Sequence, residues 1–133
     1  MSEFIDFQNL VRPKSPNTCL IAPPGFAAST ETDEDAPIFN RQRMAVFDQI
    51  VGIAMERKDW TLVVADEATA RLRLVVTSRW MRFKDDIDIA ILPVQGAPAQ
   101  STIAIYSRSR IGWSDMGVNE TRVKALLSLL KEH

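Results

Sequence analysis

The octapeptide "DDIDIAIL", residues 85–92, constrains this chain more than any other stretch. Ile87, Ile89 and Ile91 alternate with Asp86, Asp88 and Ala90. A repeat of two is the repeat of a β-strand with one face buried and one face wet. A helix would scatter those isoleucines around its circumference. Neighbouring stretches share the pattern. In "ARLRLVVTSRW" (70–80), Leu72, Leu74, Val76 and Ser78 alternate with Arg71, Arg73, Val75, Thr77 and Arg79. In "STIAIYSRSR" (101–110), Ile103 and Ile105 alternate with Thr102, Ala104, Tyr106 and Arg108. "DWTLVVA" (59–65) is rich in aromatic and β-branched residues, so it is read as a fourth strand.

The apolar sets predict a register. A turn centred on Arg82 and Phe83 sets Val76 opposite Ile89, Thr77 opposite Asp88 and Arg79 opposite Asp86. In the next hairpin Ile91 faces Ile103, Ile89 faces Ile105, Asp88 faces Tyr106 and Asp86 faces Arg108. Asp86 then stands between Arg79 and Arg108 on the wet face. Two readings of this row are open. One is structural cross-strand charge pairing, worth about 0.2–1 kcal/mol per pair. The other is a polar site in which Arg79, Arg108 and Arg110 hold a carboxylate or phosphate.

Two helices flank the strands. Met44, Phe47, Ile50, Val51, Ala54 and Met55 recur at spacings of three and four, which predicts a helix over about 40–57 with Asn40 as its N-cap. Val123, Leu126, Leu127 and Leu130 predict a second over about 118–132, capped by Ser114 or Asn119. "PVQGAPAQ" (93–100) is read as a loop. Residues 1–38 contain Pro13, Pro16, Pro23, Pro24 and Pro37, so they are read as an irregular arm. Its Leu10, Val11, Leu20, Ile21 and Phe26 would pack on a body formed by 39–133. The expected fold is α+β: a four-stranded antiparallel meander sheet with two helices packed on one face, preceded by the arm. The 133 residues suit one domain.

Charge and composition exclude several functions. The net charge is −1, and there is no basic run and no RNA-binding aromatic signature, so no nucleic-acid partner is expected. The first forty residues carry a net −4 and the rest a net +3, as if the arm lay over a basic body. "MSEFIDFQNLV" is short and mixed with acids, so it is not read as a signal peptide, and no stretch approaches the ~20 apolar residues of a membrane span, so a cytoplasmic location is expected. The single cysteine, Cys19, allows no internal disulfide and is read as a small buried apolar residue.

The only histidine is His133, which removes histidine general bases, a Ser–His–Asp triad and a zinc site. No phosphate-binding glycine loop is present. Asp85 points away from Asp86 and Asp88 by strand period, which weakens a hard-cation site, so neither metal nor cofactor is expected. Ser107, Ser109 and Ser114 have no neighbouring base in the sequence. Trp80, Met81 and Phe83 straddle a hairpin tip that either docks a partner or folds back on the body.

Four stretches carry a resemblance: "RPKSPNTCLIAPPG" (12–25), "APIFN" (36–40), "SRWMRFKDDIDIAI" (78–91) and "STIAIYSRSRIGWSDMGVNETRV" (101–123). Together they resemble the bacterial Domain of Unknown Function 1499 family. The most specific parts are Ser15-Pro16-Asn17 and the segment Ser107–Arg122. The resemblance implies a compact α+β domain with no settled activity. The resemblance implies that some members follow a signal or membrane segment and that relatives occur in plastids; no such segment is read in this sequence, so an envelope location is not expected. Ser15, Pro16, Asn17, Arg108, Ser109, Gly112, Ser114, Asp115, Gly117, Asn119 and Arg122 match the family pattern.

Those residues allow a structural corner or a ligand site. Gly112 and Gly117 suit tight backbone, Ser114, Asp115 and Asn119 suit turns and caps, and Arg122 is placed to reach back to Asp115. Arg108, Arg110 and Trp113 are less well explained by folding; with Asn17 closing over them they form a candidate anion or polar-ligand pocket. The functional expectation is a small non-catalytic domain that binds an anionic small molecule or a partner protein. Its candidate ligand residues are Arg79, Arg108, Arg110, Trp113, Asp115, Asn119, Arg122 and Asn17. Alternatives are a histidine-independent enzyme using Asp86, Asp115 or a serine, and a purely structural subunit. The oligomeric state is left open.

Overall fold

The computed structural model describes residues 4–12, 18–77, 83–110 and 117–131. The elements run β1 (Thr18–Ala22), β2 (Glu34–Asp35), α1 (Arg43–Glu56), β3 (Trp60–Asp66), β4 (Arg71–Thr77), β5 (Lys84–Val94), β6 (Ala97–Ser109) and α2 (Val118–Lys131), after a short 3-10 turn at Phe7–Asn9. The α+β class is as expected. The sheet is larger than the predicted meander: six described strands form one sheet in the order β2-β1-β6-β5-β4-β3. It is mixed, because β2 lies parallel to β1 while the other neighbours are antiparallel.

The correction comes from the arm. Its "TCLIA" run pairs with β6, setting Leu20 opposite Tyr106 and Ile21 opposite Ile105. Cys19 and Ile21 enter the core under the helices, while Leu20 and Ala22 are buried beneath the rest of the arm. A strand buried on both faces reads as a continuous apolar run, without the alternation that exposed strands show.

The isoleucine rows of β5 and β6, Leu72, Leu74 and Val76 of β4, and the apolar stripes of α1 and α2 form the main core. The opposite sheet face is only partly wet. Ala22, Ala90 and Ala104 are small enough for the arm to lie on them, and Phe7 and Ala27 are buried there with Tyr106. Arg12 fastens this layer: its Nη2 donates to Asp33 Oδ2 and to Thr18 Oγ1, each at 2.8 Å. Asp33 Oδ2 also accepts the Leu20 amide at 2.8 Å.

Three local expectations change. The 93–100 segment is largely strand, because β5 and β6 are joined by a tight turn whose Gly96 takes a φ of +78°. Glycine adopts that conformation without steric cost. Asn40 does not cap α1; Gln42 occupies that position without a side-chain cap bond. Asn40 Oδ1 instead accepts from Gln100 Nε2 at 2.8 Å. The β4–β5 register is also shifted: Thr77 lies opposite Lys84 rather than Asp88, and Leu72, not Val76, lies opposite Ile89. Apolar parity survives the shift, so alternation alone could not discriminate between the two registers. Of the hairpin-tip residues, Trp80 and Met81 lie outside the described residues, and Phe83 is half-buried.

Candidate functional site

The β5–β6 register is the expected one, with Ile91 opposite Ile103, Asp88 opposite Tyr106 and Asp86 opposite Arg108. Parity then divides the polar residues at this end of the sheet between its two faces.

Asp85, Ser107 and Ser109 point toward α2. Arg122, in the early part of that helix, donates from Nη1 to Asp85 Oδ2 at 2.6 Å. It does not need Asp115 as its partner, and Asp115 lies outside the described residues. Asn119 sits inside α2 rather than capping it. Its Oδ1 accepts from the Ser107 hydroxyl and from Arg122 Nη1, and its Nδ2 donates to Ser109 Oγ at 3.1 Å. Asp85, Ser107 and Asn119 are all buried. Gly117, just before the helix, has a φ of +83°. These contacts give Ser107, Ser109, Asn119 and Arg122 partners within the fold, while residues 111–116 of the motif lie outside the described residues. A buried polar group costs stability unless it is hydrogen-bonded, so the network fixes how α2 sits on the sheet.

Asp86, Asp88, Tyr106, Arg108 and Arg110 lie on the other face. Their pairing differs from the expected row. Arg110 takes Asp86 in a two-pronged contact, with Nε and Nη2 each 3.0 Å from a carboxylate oxygen. Arg108 takes Asp88, Nη1 to Oδ2 at 2.6 Å, and its guanidinium lies 4.9 Å from the centre of the Tyr106 ring. On the β4 side Asp86 faces Val75, so Arg79 is not its ladder partner, and Arg79 lies outside the described residues. Arg73 holds the β4 position beside Asp88, its Nε 3.8 Å from Oδ2. Asp88 is essentially inaccessible, and its Oδ1 accepts no hydrogen bond, so the two guanidinium charges stabilise it.

Titration behaviour follows this geometry. Burial raises the Asp86 pKa, but the Arg110 hydrogen bond and the Arg110, Arg108 and Arg73 charges outweigh it and hold the group below its ordinary value of 3.8. The Asp86 hydrogen bond and charge raise Arg110 in turn. Burial raises the Tyr106 hydroxyl, opposed by Arg108. Cys19 is buried, and loss of solvation followed by the Asp33 charge pushes its thiol up to about 12.

Arg108 and Arg110 therefore share the outer face, while Asn119 and Arg122 belong to the helix-side network. Asn17, Trp113 and Asp115 lie outside the described residues. The sequence reading missed Arg71 and Arg73 as site residues. The signal was present, because both have the parity of Arg79. Among the described residues no Asp, Glu, Cys or His group of three or more could hold a metal ion, and no helix is long and apolar enough to cross a membrane.

The fold and site define an α+β protein with a mixed sheet, two helices on one face and an aspartate–arginine row on the other. The chain belongs to the family described as Protein of unknown function (DUF1499), which it matches over residues 16–130. No curated protein matches it.

Proposed function

We propose that this chain is a non-catalytic binding domain that takes an anionic group on its outer sheet face. One observation carries the reading: Arg71, Arg73, Arg108 and Arg110 share a face on which β5 presents only Asp86 and Asp88. The two-pronged grip of Asp86 orients Arg110 while its side chain remains 51% exposed. A guanidinium held in place loses little freedom when it receives a carboxylate or phosphate. An acidic side chain of a partner protein would present the same group as a small anion. Arg79, Trp113, Asp115 and Asn17 join the proposal by sequence position alone.

An enzymatic reading is less well supported. Asp86 and Asp88 are both ion-paired, and Asp86 is held below its ordinary carboxylate value, so Asp86 is not poised as an acid near neutrality. Titration with inorganic phosphate and with acetate, followed by calorimetry, tests the proposal. Saturable binding that Arg110→Gln weakens at least tenfold supports it. Binding unchanged in Arg110→Gln and in Arg71→Gln overturns it.

A further inference from the structure

Two grooves meet on the outer face where the arm crosses the sheet. One, of about 410 Å³, lies between the first arm residues and β4, with Phe4 and Arg71 in its wall. The other, of about 600 Å³, continues past Pro23 and Pro24 to Ile38 and Val94. Gln8, Phe26 and Leu92 line both, so the two adjoin along the same side of the sheet. Phe26 is braced from below by the buried ring of Phe7, centroid to centroid 5.8 Å. Ile38, at the far end, is 59% exposed.

Arg71 stands at the near end. It makes no hydrogen bond or ion pair with a described residue, and its guanidinium lies 6.0 Å from the Phe4 ring centre. Two carboxylates lie near it, and Asp6 feels its charge, but each accepts its hydrogen bonds within its own turn. Asp66, opposite Arg71 in the ladder, accepts from the Ala68 amide and the Thr69 hydroxyl of its own turn. Asp6, in the same groove wall, accepts from the Gln8 amide and from Asn9 Nδ2. A cation that makes no salt bridge with a described residue therefore stands at one end of a trough whose other end is apolar.

That polarity matches a molecule charged at one end and apolar along the rest. We propose that the trough binds a linear amphiphile, an unbranched alkyl chain ending in a carboxylate. The carboxylate sits on the Arg71 guanidinium, whose planar donors fit it in two-pronged fashion. The chain runs over Phe26 and Leu92 toward Ile38. The inference rests on the proposal that this face takes an anion, and it names the anion.

Calorimetry of the full chain with octanoate, decanoate and dodecanoate below their micellar concentrations tests it, with acetate and inorganic phosphate as bare anions and dodecanol as the uncharged chain. The expected result is one site whose affinity rises about fourfold per methylene as chain leaves water. Arg71→Gln should weaken dodecanoate about tenfold, and Ile38→Glu should remove the gain between decanoate and dodecanoate. Arg71→Gln gives up only the contact with the Phe4 ring, and an unchanged unfolding midpoint in both variants would verify that the fold is kept. If acetate or phosphate binds as tightly as dodecanoate, the amphiphile is overturned while the anion reading stands. If nothing binds, both fall. If dodecanol matches dodecanoate, or Arg71→Gln has no effect, the head-group assignment is overturned.

Discussion

Arg122 on α2 and Asp85 on β5 meet at 2.6 Å, with side chains 14% and 9% exposed. The pair joins the helix layer to the sheet at the end where β6 leaves it. Removing one partner strands a charge in a poorly solvated place, which costs about 3–5 kcal/mol. Asp85→Ala is expected to lower stability by about 3 kcal/mol in urea denaturation. The double variant Asp85→Leu with Arg122→Met should lose less than the two single variants together, because no charge remains to be buried.

Asn119 extends the same connection to β6. Asn119→Ala leaves the Ser107 and Ser109 hydroxyls short of a partner, at a cost of about 1–3 kcal/mol. Hydrogen exchange should show the amides of α2 losing protection before those of β5. Equal loss across the molecule would mean that the network does not set the helix position.

The Asp86–Arg110 pair predicts a pH dependence with a definite sign. The folded-state pKa of Asp86 lies below its ordinary value of 3.8. Its contribution to stability is therefore present above that ordinary value and is lost as pH falls through the folded-state value. Thermal midpoints measured between about pH 2 and 6 should drop below about pH 4. Arg110→Gln should flatten part of that drop, because the unpaired carboxylate titrates nearer its unfolded value.

Cys19 is 1% exposed, and its thiol is pushed up to about 12, by burial first and the Asp33 charge second. A thiol reagent at pH 8 should label the folded protein very slowly and the unfolded protein at once. Rapid labelling without unfolding would show that β1 detaches from β6.

The arm is part of the fold's stability. Phe7 is 6% exposed and packs against the Ala90 and Ala104 side of the sheet. Phe7→Ala should cost about 3 kcal/mol in chemical denaturation. It should also lower the affinity of any ligand in the adjoining trough, since Phe26 loses its brace.

The sequence by itself determined the elements whose side chains alternate or recur periodically. Ile87, Ile89 and Ile91 announced β5, and the stripes of α1 and α2 announced the helices, because one buried face leaves a period that can be read in one dimension. Matching Ile91 to Ile103 set the β5–β6 register, which placed Asp86 beside Arg108. Only the tertiary structure decided the rest. The β4–β5 register depends on the geometry of the connecting turn, and a shift by an even number of residues preserves the apolar parity. β1 is buried on both faces, so it has no alternation to read. Which carboxylate each arginine takes also lay beyond the sequence: a long guanidinium can pass over its nearest ladder partner, as Arg110 does in reaching Asp86 while Arg108 turns to Asp88. That Arg71 makes no salt bridge with a described residue was equally hidden, because Asp66 and Asp6 accept their hydrogen bonds within their own turns. Periodicity encodes which face a residue occupies; pairing is settled by three-dimensional reach.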